Sequence, residues 1–144
     1  MTDSSEASSK FPSSGEIVRA RLNPVEGSEL AGERPVLVLS PDFINERSPV
    51  VLVASIMSRK TERVFAFEAL IEPPDGGLPH RSKVMLMHTR SIDKQRIVGA
   101  YGRVTDETMH RVEIALRVAT GLTPLDPPDA GDAGRRESQA ASEG

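Results

Sequence analysis

Residues 27–40 read GSELAGERPVLVLS. A polar, glycine-containing loop passes through Gly32, Glu33 and Arg34 to Pro35 and then into the apolar run Val36, Leu37, Val38 and Leu39. The run is too short for a helix, and Ser40-Pro41 closes it. It reads as a strand buried on both faces or nearly so. Pro49 to Ser55 (PVVLVAS) has the same character. Upstream, Glu16 to Asn23 (EIVRARLN) alternates, with Val18, Ala20 and Leu22 on one face and Arg19 and Arg21 on the other, the pattern of a half-buried strand. Asn23 to Glu33 between them reads as a loop.

Downstream, Phe65 to Ile71 (FAFEALI) predicts a strand with Phe65, Phe67, Ala69 and Ile71 on one face. Glu72 to Pro79 (EPPDGGLP) is a turn, and Lys83 to His88 (KVMLMH) returns as its antiparallel partner. The period then changes. Met109, Val112, Leu116 and Ala119 are three or four residues apart, Thr105 can cap the start and Gly121 can end the helix over 106–120. Four to six short strands and one terminal helix predict a small bent antiparallel sheet or barrel with the helix packed on it.

The chain has 144 residues, 38% of them apolar, with no cysteine or tryptophan, which suits one modest domain. Lack of cysteine excludes disulfides, a thiolate nucleophile and sulfur-ligated zinc, and three histidines leave little for a metal. The apolar runs are far shorter than a membrane span and the first ten residues are polar, so the expectation is a soluble, cytoplasmic protein with no membrane partner. Residues 1–14, with six serines, and residues 123–144, with three prolines, have the composition of disordered ends around a body at 15–122.

The net charge of −3 argues at first sight against a nucleic-acid partner. By segment the first fourteen residues carry −1 and the last twenty-two carry −3, which leaves a body of +1 with twelve arginines and three lysines. Arginine's planar fork suits bidentate phosphate contacts, although a G- and C-rich genome also favours arginine codons.

The stretch at 27–40, together with SIDKQRI (Ser91 to Ile97) and DETMHRVEIALRVATGL (Asp106 to Leu122), resembles the MazF/PemK family of toxin endoribonucleases. The matching elements are a Gly-Glu-Ile-Val opening strand, an Asn-Pro with a Gly-Ser-Glu loop, Gly-x-Arg-Pro leading into Val-Leu-Val-Leu, and Ser-Ile-Asp-Lys after the fifth strand. The resemblance implies an α+β, mainly β fold: an SH3-like antiparallel β-barrel with a C-terminal helix, shared with the gyrase-poisoning CcdB-type toxins. It also implies a homodimer that binds single-stranded RNA in grooves at its interface, with a cognate antitoxin in the same grooves. The implied reaction uses no metal or cofactor. The ribose 2′-OH attacks the adjacent phosphate, leaving a 2′,3′-cyclic phosphate and a 5′-OH.

Such a reaction needs proton removal from the 2′-OH, stabilisation of charge on a five-coordinate phosphorus and protonation of the leaving oxygen. Without the motif, Arg34 reads as a surface arginine paired with Glu33 or Glu29; with it, Arg34 matches the family's catalytic arginine. A family threonine or serine after the third strand falls on Met57, whose thioether donates no hydrogen bond. Ser58, one residue on, and Ser55, two residues back, are the candidate substitutes, and both remain open. Ser58 requires a bulge or an early strand end to reach the same face. His88 stands where relatives have glutamine, and its alternation groups it with Val84 and Leu86. It can transfer a proton near neutral pH or simply hydrogen-bond RNA. Ser28 and Glu29 match RNA-contacting loop residues but also suit an ordinary solvated turn. Arg90 is a candidate phosphate contact or an anchor for Asp93. His80 and His110 read as structural or solvent-exposed. The alternative to a nuclease is a relative that keeps the fold and binds RNA or antitoxin but cleaves poorly because of Met57.

Overall fold

The computed structural model describes residues 11–22 and 32–124. Residues 1–10, the loop at 23–31 with Ser28 and Glu29, and the acidic tail from 125 lie outside the described residues. Six strands, β1 (Glu16–Arg21), β2 (Glu33–Val38), β3 (Val50–Met57), β4 (Glu68–Ile71), β5 (Ser82–Asp93) and β6 (Ile97–Arg103), form one sheet in the order β4-β5-β3-β2-β1-β6. All its pairings are antiparallel. A short helix α1 (Asp42–Arg47) joins β2 to β3, and α2 (Asp106–Ala119) follows β6.

The sheet curls enough to bury both faces. Ile17, Leu37, Ala54, Ile71 and Val84 form one core with Val112 and Ala115 of α2, while Val18, Ala20, Val36, Val38, Val51, Val53 and Ile92 form a second on the opposite face. The β-branched runs at 36–38 and 50–55 are therefore central strands, the first buried on both faces as its composition predicted, the second leaving Val50 and Leu52 exposed on one face. The first strand is buried on both faces at its start, because Ile17 enters the α2-side core.

The edges β4 and β6 are brought together by the turn between β4 and β5. Gly77 has φ +76°, and a Cβ there would collide with the Tyr101 carbonyl oxygen on β6, so only glycine allows this approach. Asp75 then ties the turn to α2. Its carboxylate accepts from the Thr105 N–H at 2.9 Å and from the Thr108 hydroxyl at 2.5 Å. Thr105 also caps α2, accepting from the Thr108 N–H at 3.2 Å, and Gly121 follows the helix with φ +81°. Both helix signals were legible in the sequence.

Two expectations change. Residues 11–14 belong to the fold rather than to an arm: Ser13 is buried, and the Ser14 N–H donates to the Asp42 carboxylate at 2.8 Å. The strand predicted over 65–71 begins only at Glu68, because Phe65 and Phe67 stack on each other in a turn with centroids 5.3 Å apart. Lys83, the second residue of β5, is 4% exposed. Its ammonium lies 3.0 Å from Glu68 Oε1 and donates to the Arg63 carbonyl at 2.9 Å. Glu68 Oε1 also accepts from the Phe65 N–H at 3.1 Å. This buried pair anchors the loop that leaves β3.

Candidate active site

β2, β3, β5 and β6 surround a groove of about 390 Å³. Its lining includes Arg34, Ser55, Met57, Ser58 and His88, five of the residues selected from the sequence, together with Arg59, His80, Met85 and Tyr101. Each arrives for a local reason.

Arg34 sits on β2 opposite Ala20, one residue before Pro35. Strand alternation sends its neighbour Glu33 the other way, where Arg19 Nε lies 3.0 Å from Glu33 Oε1 and Arg21 lies 3.7 Å from Oε2. Glu33 is thus neutralised by β1, and no hydrogen bond or ion pair among the described residues engages Arg34. The surface-pair reading with Glu33 does not hold.

β3 ends at Met57, so Ser58 lies in a bend and lines the groove beside Met57 and Ser55 instead of passing to the opposite face. Both substitute hydroxyls are therefore present, one on each side of the thioether.

His88 departs from simple alternation. The pairing of β3 with β5 jumps from Ser55↔Met85 to Ala54↔Thr89, leaving Leu86, Met87 and His88 without partners on β3. The Thr89 hydroxyl closes this bulge by donating to the Leu86 carbonyl at 2.7 Å. Leu86 is buried in the core while His88 is exposed at the groove, so the grouping of His88 with Val84 and Leu86 is corrected by the bulge. Past the bulge, Arg90 pairs with Val53 and lies outside the groove, and Asp93 accepts from the Gln95 N–H rather than anchoring Arg90.

Sequence reasoning missed His80 and Arg59. Arg59 follows the end of β3, and His80 is carried in by the β4–β5 turn that Gly77 seats against β6. Neither carried a local signal, since a proline-rich turn and a post-strand bend are ordinary loop sequence.

The described lining holds two guanidiniums and two imidazoles and no carboxylate. No three His, Cys, Asp or Glu side chains cluster as metal ligands among the described residues. The groove is suited to an anion, and hydroxyl and imidazole groups stand within it.

Fold and groove together define a small curled-sheet protein with a cleft lined by arginine, histidine and serine side chains. Residues 13–120 match the family of PemK-like, MazF-like toxins of type II toxin–antitoxin systems, and the chain belongs to that family. It is 35% identical over 108 residues to the endoribonuclease EndoA of Bacillus subtilis (strain 168), covering 75% of this chain and 93% of EndoA. Among solved structures it resembles a MazE–MazF complex from Deinococcus radiodurans, with a TM-score of 0.65 and 26% identity over 78% of this chain and 98% of that one. The fold is also that of a mycobacterial endoribonuclease solved with its cognate antitoxin, with a TM-score of 0.65 and 23% identity over 79% and 99% of the two chains.

Proposed function

We propose that this chain is the endoribonuclease toxin of a type II toxin–antitoxin pair. It cleaves single-stranded RNA by 2′-OH attack, without a metal, to leave 2′,3′-cyclic phosphate and 5′-OH ends. The observation that carries this reading is the Arg34 guanidinium, without an ion-pair partner among the described residues, in a groove whose described lining has no carboxylate, beside Ser55, Ser58 and His88. Arg34 holds the non-bridging oxygens as charge builds on phosphorus. Ser55 or Ser58 supplies the hydrogen bond that Met57 lacks, and His88 moves a proton. Ser28 and Glu29, which match the family's RNA-contacting residues, contribute further RNA contacts.

A cognate antitoxin occupies the same groove, a reading supported by the antitoxin complexes among the structural relatives. A homodimer suits the exposed apolar side chains Phe43 and Ile44 of α1 and Val50 and Leu52 of β3. No described helix is long and apolar enough to cross a membrane, and a cytoplasmic location suits an RNA substrate. The toxin domain corresponds to residues 15–122, with the stretch 11–14 packed against it.

Purified protein incubated with RNA in EDTA should yield 5′-OH fragments, and Arg34→Ala should lower the rate by about 10²–10³. Cleavage that requires a divalent metal would sink the mechanism.

Met57 in the groove supports a second reading, a binding module with impaired cleavage. Met57→Thr decides between them: a large gain in cleavage favours the binding module, and an unchanged rate shows that the groups already present suffice.

A further inference from the structure

The β4–β5 turn carries a second imidazole to the groove. Upstream of His80, Leu78 is buried in the core. Downstream, the Ser82 hydroxyl donates to the His80 carbonyl at 2.8 Å. The main chain is thus held on both sides, while the imidazole is exposed and without a partner among the described residues. His88 enters the same groove from the bulge of β5. Ser82 and Met85 of β5 lie between the two in sequence and also line the groove, as do Ser55 to Arg59. The other charged or titratable groups of the described lining are Arg34 from β2, Arg59 from the loop after β3, and Tyr101 from β6.

Cleavage by a 2′-OH needs two proton transfers on opposite sides of one phosphorus. Of the side-chain types lining the groove, only imidazole both takes and gives a proton readily near neutral pH. We propose that His80 is the second proton-transfer residue, forming with His88 the acid–base pair of the RNA cleavage, an inference that rests on the endoribonuclease reading above. The neutral imidazole takes the 2′-OH proton as O2′ bonds to phosphorus. The protonated one gives its proton to O5′ as the P–O5′ bond breaks. The products are a 2′,3′-cyclic phosphate and a 5′-OH, and each imidazole ends in the state in which the other began.

The test compares wild type, His80→Gln and His88→Gln on an RNA whose cut linkage has been mapped by sequencing its 5′-OH ends. The same RNA is then used with sulfur replacing the 5′ oxygen at that linkage, because a thiolate leaves without being protonated. Both imidazoles are exposed, so both variants should melt with the wild type. On the oxygen substrate each variant should lose about 100-fold or more in kcat with little change in KM. The bell-shaped pH–rate profile should lose one limb in each variant, and opposite limbs in the two. The sulfur substrate should restore one variant and not the other, which identifies the acid. A His80→Gln protein that cleaves the oxygen substrate within about threefold of wild type overturns the pairing, as does sulfur rescue of both variants or of neither. Wild-type protein that cleaves no RNA would instead overturn the endoribonuclease reading.

Discussion

Lys83→Met should be among the most damaging single changes outside the apolar core. The Lys83 and Glu68 side chains are 5% and 9% exposed, and their charged atoms lie 3.0 Å apart. Removing the ammonium leaves a buried carboxylate with one remaining described hydrogen bond, from the Phe65 N–H. Breaking a buried pair in this way costs about 3–5 kcal/mol. For a domain of about a hundred residues that is a fall in Tm of about 12–20 °C. Replacing both partners, as in Lys83→Met with Glu68→Leu, removes the stranded charge and keeps most of the packed volume. The remaining loss is the two tethers to the loop, Lys83 to the Arg63 carbonyl and the Phe65 N–H to Glu68, at about 1 kcal/mol each. The double variant should therefore be more stable than Lys83→Met alone. Because the tethered loop begins with Ser58 and Arg59 of the groove, the double variant should also cleave RNA more slowly than its stability alone explains. Urea unfolding followed by circular dichroism measures the double-mutant cycle, with RNA cleavage assayed below the transition. A single variant within about 1 kcal/mol of wild type, or a double variant as unstable as the single, would refute the stranded-charge argument.

Gly77→Ala should destabilise the protein by at least about 2 kcal/mol, or prevent folding, because the new methyl meets the Tyr101 carbonyl and the residue sits at φ +76°. Thermal melting checks this, and a neutral result would show that the turn can withdraw from β6. Ser55→Ala and Ser58→Ala, assayed separately for cleavage, identify which hydroxyl serves the phosphate. One should lose about tenfold or more in rate, the size expected for a lost hydrogen bond to a charged group; equal wild-type rates in both variants would exclude a serine role.

The site was legible to different depths at different residues. Arg34 was readable because its motif is continuous in sequence and the strand after it is set by a local β-branched run. Ser58 was readable only as a conditional, since its usefulness depended on where β3 ends. Arg90 lies outside this groove, and His80, read as structural or solvent-exposed, lines it. Both positions belong to β5 and its preceding turn, where the path of the chain depends on partners far away in sequence. The net charge of −3 likewise pointed away from RNA until it was resolved by segment, because the acidic excess lies outside the body that forms the groove.

The sequence by itself determined the elements whose causes are local: the central strands at 36–38 and 50–55, and the Thr105 cap and Gly121 end of α2. Hydrophobic period, capping hydroxyls and a positive-φ glycine act over a few residues, so they can be read in one dimension. Only the tertiary structure decided that Leu86 turns inward while His88 faces the groove, that Lys83 is buried against Glu68, and that His80 shares a groove with Arg34. Each of these depends on strand register or on the close approach of a turn to β6. Register and approach are settled by pairing and packing across the whole sheet, and the residues that settle them are remote in sequence from those they position.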